Sequence, residues 1–527
     1  MRRVFTQQAW FSNVSGDVLA GIVVALALIP ESIAFSGVAG VPPEVGLYAS
    51  ICMAIVISFT GGRPAMISAA TGAMALLIPE LIQKFPDDLE LGLQYLFATT
   101  ILTGLLQLVW GWMKLGNHMR FVPRPVMVGF INALAILIFK AQLSQLTNAN
   151  IEPGETPQNL VLVYVLVAVG LAIIYGLPQL VKLLPKVVRN VLQILPAPLV
   201  AIAAITIVSI NLGWGANNEV NVVQDLGALP STFPLFSLPR IPFTFQSLAI
   251  ILPYALALSF VGLIDSFLTA NVVDDMMDAT TPSDKNQEAL GQGVSNILVG
   301  FFGGMAGCGM IGQSVINVSS GAKTRLSTLT AGIFLLVCIL LLNQWVAQIP
   351  MAVLVSVMFM VSFSTFSWGS LKTLKVVPKS ETAVMLTTVA TTILTSNLAF
   401  GVLVGVALST IFFSRKIAAL VDVTSTLNDD ASARVYHVSG QIFFVSVESL
   451  LTSFRFKENL DRVVLDLTHA QLWDQSAVDA VDKIVLRFRQ RDIEVQLQGL
   501  NEASATLIER LAIHHKTEDE LVEMPIR

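Results

Sequence analysis

Two carboxylates stand inside long apolar stretches of this chain: Glu31, directly after Pro30, and Asp265, in the run Leu263-Ile264-Asp265-Ser266-Phe267-Leu268-Thr269. An ionisable group at such a place is costly to bury and points to function. Thr269 lies one turn after Asp265, so both side chains can meet at one spot on a helix face. A carboxylate with a hydroxyl and backbone carbonyls suits Na⁺, and a carboxylate alone suits H⁺. The plainer alternative is a structural carboxylate bonded to a neighbouring span. For Glu31 it also includes a bond to a backbone N–H at a helix break near Pro30.

Two further stretches share an unusual pattern. Ser68-Ala69-Ala70-Thr71-Gly72-Ala73 and Gly307-Cys308-Gly309-Met310-Ile311-Gly312-Gln313-Ser314 are each preceded by a glycine pair, Gly61-Gly62 and Gly303-Gly304. The apolar segments they open, Thr71–Ile82 and Gly312–Ser320, are too short to cross a bilayer, which takes about 20 residues. A half-length helix at membrane depth leaves backbone N–H groups that only buried protein or a watery cavity tolerates. Two such N-termini facing one another make an anion site without a full positive charge. The alternative is a pair of re-entrant loops that merely cap a bundle. Weaker signals read as packing or pairing: Asn132 as an interhelical hydrogen bond, Lys140 as a snorkelling end, Cys308 as a small packing residue, and Glu288 as a cap or a partner of Lys285.

These residues need spanning helices to hold them, and the composition supplies those. Only 13% of the 527 residues are charged and 54% are hydrophobic, against about 25% charged in a soluble domain. Spans are expected at Val18–Ala34, Val45–Thr60, Leu91–Met113, Pro125–Leu143, Leu160–Gly176, Ala197–Leu212, Leu248–Val273, Leu290–Phe302, Leu326–Val346, Met351–Phe366, Ala383–Phe400 and Gly401–Phe413. With the two short segments the count is about 14. The acid-bearing spans are the first and eighth, and the short segments the third and tenth, so the pattern repeats after seven. Lys and Arg gather in alternate loops: Lys114, Arg120 and Arg124; Lys182, Lys186 and Arg189; Lys323 and Arg325; Lys372, Lys375 and Lys379; Arg415 and Lys416. By the positive-inside rule, both termini are expected on the cytoplasmic side of the cell membrane. No cleavable signal peptide is expected.

The charge is concentrated at one end. Residues 421–527 hold 29 of the charged residues, and the first 420 hold 38. The expected division is therefore a transmembrane domain, 1–420, and a small acidic cytoplasmic α/β domain, 421–527. Strands are expected at Val435–Phe444, Arg462–Leu467 and Glu494–Leu497, and helices at Ala477–Arg489 and Asn501–His514. His437, His469, His514 and His515 show no metal-ligand grouping, and three cysteines without paired spacing exclude a disulfide framework. A net charge of −5 excludes the usual basic nucleic-acid binder. No nucleophile–base pair stands among the spans, so an enzyme is not expected.

Ala27-Leu28-Ile29-Pro30-Glu31 through Gly46-Leu47-Tyr48, Asp265-Ser266-Phe267-Leu268-Thr269 and Asn317-Val318-Ser319-Ser320-Gly321-Ala322-Lys323-Thr324 resemble the sulfate permease (SulP) family of anion transporters along nearly the whole chain. The resemblance implies a polytopic α-helical membrane protein of seven-plus-seven inverted repeats with two half-helices. It also implies an elevator-like core-and-gate movement and a homodimer. By position it implies an anion site at Ala70, Thr71, Gly72, Met310, Ile311, Gly312, Gln313 and Ser314, and a coupling-cation site at Asp265 and Thr269, with Glu31 added from its own spacing. Gln313 stands where animal members often carry Arg, so the site relies on helix ends. Ile311 stands about where sodium-driven members offer Thr, which favours H⁺ over Na⁺. The tail resembles the STAS domain of anti-sigma-factor antagonists. Ser476 takes the place of that family's phosphorylated serine, or is a plain N-cap.

The expected function is secondary transport of sulfate or bicarbonate, by H⁺ or Na⁺ symport or by exchange. The alternatives are a small carboxylate or dicarboxylate substrate, an anion channel, or a membrane sensor signalling through the tail to a soluble partner. No cofactor is expected beyond a coupling H⁺ or Na⁺.

Overall fold

The computed structural model describes residues 6–114, 116, 122–143, 146–147, 159–183, 196–217, 219–227, 229, 233–242, 244–277, 282–428, 430 and 432–514. Arg120, Lys186, Arg189 and His515 lie outside them. Two compact units result, Met1–Val406 and Ala407–Arg527.

A short helix α1 (Gln7–Phe11) leads into the first set of segments. These are α2 (Val14–Ala39), α3 (Pro43–Thr60), the broken third segment, α6 (Leu89–Trp112), α7 (Arg124–Leu143), α8 (Leu160–Leu183) and α9 (Ala197–Leu212). The third segment is a strand β1 (Ser68–Ala69) followed by two single turns, α4 (Gly72–Ala75) and α5 (Pro79–Ile82). The second set repeats the order: α10 (Phe245–Met276), α11 (Lys285–Phe301), β2 (Cys308–Gly309) with α12 (Ile311–Ser319), α13 (Arg325–Ala347), α14 (Met351–Thr365) with the short α15 (Trp368–Thr373), α16 (Lys379–Thr395) and α17 (Leu398–Ala418). Among the described residues nine helices are long and apolar enough to span a membrane. The architecture is a polytopic helical membrane fold.

Packing follows a two-fold exchange of the sets. α2 lies on α13 as α10 lies on α6, and α3 lies on α13 as α11 lies on α6. α12 touches both α10 and α2, while α4 touches both α2 and α10. These eight segments form one group. α7, α8, α9, α14 and α16 pack among themselves as a second group. Small residues permit the close crossings. A Cβ on Gly104 would stand 2.5 Å from the Gly293 carbonyl, and one on Gly293 2.8 Å from that of Gly104.

Several expectations need correction. α2 runs unbroken through Pro30, so no helix break lies beside Glu31. Thr71–Ile82 is not one helix, because Pro79 opens a fresh turn. The expected span Ala383–Phe400 ends at Thr395: Ser396 turns left-handed, at φ 51°, and Asn397 Oδ1 accepts from Phe400 N, opening α17 three residues before Gly401. Glu288 neither caps nor pairs with Lys285. Asp284 caps α11, and Glu288 accepts from Gly62 N (2.7 Å) and Gln292 Nε2 (2.8 Å). Arg325 is no loop charge. It is 5% exposed and donates to the carbonyls of Ser58 and Gly61 at the end of α3.

The second unit is a four-stranded sheet in the order β3 (Asp422–Leu427), β4 (Ala433–Ile442), β5 (Arg462–Leu472), β6 (Glu494–Gln498). β3 is antiparallel to β4, and the other pairings are parallel. β3 and the short helix α18 (Val447–Thr452) were not expected. α19 (Gln475–Arg489) and α20 (Glu502–Leu511) complete it. Alternate residues of β5, Val463, Leu465 and Leu467, share a core with Val478, Val481, Val485 and Phe488 of α19. Asp474, not Ser476, is the N-cap of α19: its Oδ1 accepts from Ala477 N at 2.9 Å.

Candidate functional site

Breaking two helices at membrane depth exposes backbone groups, and this chain satisfies them with one another. β1 and β2 pair antiparallel, Ser68 opposite Gly309 and Ala69 opposite Cys308. Met310 N extends the ladder to the Ile67 carbonyl (2.8 Å). Serines complete it in matching fashion. Ser50 on α3 accepts from Ala70 N (3.2 Å), and Ser266 on α10 accepts from Gly309 N (2.9 Å). Asn296 on α11 faces Gly307 with both ends of its amide, at 2.8 and 3.0 Å, and Gln107 on α6 holds it there. Only glycine fits at position 307, since a Cβ would stand 2.5 Å from the Ala69 carbonyl. These are buried polar groups with partners, as a low-dielectric interior requires.

Each carboxylate reaches this crossing. Asp265 is 6% exposed. Its Oδ2 receives the Cys308 thiol at 3.5 Å, and the Cys308 sulfur lies 3.0 Å from Thr71 Oγ1. With the thiol donating to the carboxylate, Thr71 donates to the sulfur. The result is a directed chain from the third segment through the tenth to the eighth. Thr71 also caps α4 by accepting from Met74 N (3.4 Å). Glu31, 7% exposed, faces the Gln313 side chain on α12. Gln313 is 1% exposed, and its Oε1 accepts from nothing among the described residues. Among the described residues neither carboxylate has a Lys or Arg partner. Two arginines of this unit are engaged elsewhere, buried Arg325 at the end of α3 and half-buried Arg63 with Asp274 at 3.1 Å.

The other expected residues take distinct places. Thr269 donates to the carbonyl of Asp265 (2.8 Å), so it can offer the acid's surroundings only lone pairs. Ser314 accepts from Ile67 N (2.9 Å) and braces β1. Ala70 is fully buried, and Gly72 packs against Phe35 and Ile138. Met310 is the N-cap of α12 without a side-chain bond to it. Ile311 is half-buried and Gly312 is exposed, with open space where a Cβ would project. The crossing is thus closed on the side of the third segment and open on the side of α12. Ser476 is half-buried in the first turn of α19.

Cys308, Ser50, Ser266, Asn296 and Gln107 were not singled out as parts of the site. A polar residue inside a span was the available signal for Ser50, Asn296 and Gln107. Nothing local distinguishes Cys308, whose role comes from a strand pairing across more than 200 residues.

An α-helical membrane transporter is the class that this crossing of broken helices defines. The model of the Sulfate permease family matches residues 14–388, and that of the STAS domain matches residues 424–523. The chain belongs to the sulfate permease family and carries a C-terminal STAS domain. It is 49% identical over 97% of its length to the whole of YbaR of Bacillus subtilis (strain 168), which is named as a candidate sulfate transporter. It is 26% identical over 96% of its length to 92% of the bicarbonate transporter BicA of Picosynechococcus sp.. The solved transmembrane domain of a cyanobacterial BicA covers 76% of this chain and 98% of its own, at 27% identity and a TM-score of 0.61. The structure of SLC26A9 covers 96% and 87%, at 16% identity and a TM-score of 0.78, and speaks for the fold alone.

Proposed function

We propose that this protein carries a small inorganic oxyanion, sulfate or bicarbonate, into the cell together with a proton. The observation that supports this most directly is the pair of broken segments joined as β1–β2, with an intramembrane carboxylate at each side. The open end of α12 presents the N–H groups of Ile311, Gly312 and Gln313 to an anion. No fixed cation balances the anion there. A buried carboxylate must itself be neutralised by a proton or a small cation. Asp265 therefore serves as the coupling group, and Thr71 and Cys308 position it.

The ligand set favours H⁺ over Na⁺. Around Asp265 stand a thiol and a single threonine oxygen, and the Ile311 side chain contributes none. Sodium is a hard ion that seeks several oxygens, and sulfur is a poor ligand for it. Among oxyanions, bicarbonate brings one hydroxyl hydrogen that the unpartnered Gln313 Oε1 can accept, whereas sulfate brings none.

The eight-segment group acts as the moving core and the α7, α8, α9, α14 and α16 group as the gate, in a homodimer with both termini cytoplasmic. Uptake of labelled sulfate and bicarbonate into proteoliposomes under imposed pH and Na⁺ gradients tests the reading. Accumulation driven by the pH gradient supports it. Accumulation driven only by Na⁺ reassigns the coupling ion, and no uptake of either anion overturns the substrate class.

A further inference from the structure

We propose that a cavity between α7, α15 and α16 binds the phosphate-bearing headgroup of an anionic phospholipid. The cavity measures about 360 Å³ and shares no lining residue with the β1–β2 crossing. Arg124, Ser370, Thr373, Glu381 and Thr382 supply the polar part of its wall.

Three observations point to a phosphate. Arg124 lines the cavity and makes no hydrogen bond or ion pair among the described residues, so its planar donor fork is available. Thr382 Oγ1 is buried at the cavity and has no partner among the described residues. Lys372, Lys375 and Lys379, all exposed, follow or flank lining residues in sequence, and likewise have no partner among the described residues. In the cavity wall Arg124 stands with one carboxylate, Glu381, and the three lysines add positive charge on the adjoining exposed turn.

The neighbouring surface says which source the phosphate has. Phe363, Trp368, Leu371 and Val376 are 51, 51, 47 and 84% exposed beside the cavity. Trp368 stacks on Phe363 and bonds its indole N–H to the Phe363 carbonyl, so the ring is held outward as an apolar plate. A free anion has no use for that surface, whereas an acyl chain covers it. Trp at the level of the headgroups with lysines beside it is the pattern of a membrane interface. A basic pocket between spans at that level suits an anionic headgroup.

The test uses the full-length protein purified in mild detergent. Native mass spectrometry reads the lipid retained after addition of phosphatidylglycerol or phosphatidylcholine. Inorganic phosphate is titrated in a parallel arm. One phosphatidylglycerol per chain is expected, with phosphatidylcholine retained about tenfold less. Arg124→Gln is expected to weaken retention about tenfold or more and Thr382→Val a few-fold. Arg240→Gln, on a distant loop, leaves it unchanged. Melting temperatures show that the variants are folded, and Thr382→Val serves if Arg124→Gln is not. Equal retention of the two lipids overturns the proposal, as does retention unaffected by both substitutions. Displacement of the lipid by millimolar phosphate assigns the site to a soluble anion instead, and overturns the lipid source.

Discussion

At the scale of single residues, the chain Thr71–Cys308–Asp265 carries the most consequence. Cysteine is an unusual bridge, yet its thiol both accepts and donates weakly. Cys308→Ser preserves both capacities and is expected to keep gradient-driven uptake within about threefold. Cys308→Ala leaves Asp265 and Thr71 without their link. The lost bond had favoured the charged carboxylate, so the proton concentration needed for half-maximal uptake is expected to fall about two- to tenfold. Uptake against external pH for the two variants checks this, and equal profiles contradict the positioning role. In the STAS domain, Asp482 is 3% exposed and receives the His514 ring, Ile513 N (3.0 Å) and His514 N (3.2 Å). Burial alone would raise its pKa. The hydrogen bonds from the His514 side chain and the two N–H groups prevail, and leave it below the ordinary 3.8. A depressed carboxyl stabilises the fold above the unfolded value and loses that contribution as pH falls below it. Asp482→Asn is expected to destabilise the domain at pH 7 by about 1–3 kcal/mol. That gap narrows as pH drops below 3.8. Chemical denaturation across pH, read by the protection of the Ile513 and His514 amides, measures it.

At the scale of elements, two two-residue strands hold the crossing together. Gly307→Ala places a methyl 2.5 Å from the Ala69 carbonyl and 3.0 Å from Met53 Cγ, with backbone on one side. It is expected to cost about 1–3 kcal/mol and to abolish uptake. Gly312→Ala meets open space and is expected to fold as the wild type does. A melting series on the two variants separates close approach from mere glycine content. The sequence made the elements legible unevenly. Long apolar runs announced the spans because the bilayer sets both their length and their composition. The short third and tenth segments were visible because their glycines interrupt otherwise apolar sequence. Pairing of Ser68 with Gly309 was not legible, since a two-residue strand has no period to read. The end of α16 was misplaced because Thr391, Thr392 and Thr395 bond back to the helix or sit in its last turn, so composition alone does not mark Ser396 as the stop. In the tail, the edge strand β3 was missed because five of its six residues are exposed and carry no alternating apolar pattern.

At the scale of the whole molecule, the two sets of segments bring their acid-bearing first members to the same crossing. Asp265 meets it through Cys308 of its own set, and Glu31 meets Gln313 of the other. Removing everything after Arg415 is expected to leave measurable flux, because every residue of the crossing precedes it. A sensor whose output lies in the STAS domain would keep no output. The central claim is that Asp265 couples anion movement to a proton. The most direct test is uptake of labelled sulfate and bicarbonate into proteoliposomes of the wild type and Asp265→Asn, under an inward pH gradient without Na⁺. Wild-type protein is predicted to accumulate one of the anions above equilibrium, and the variant at most to equilibrate it. Accumulation by Asp265→Asn equal to that of the wild type would contradict the account.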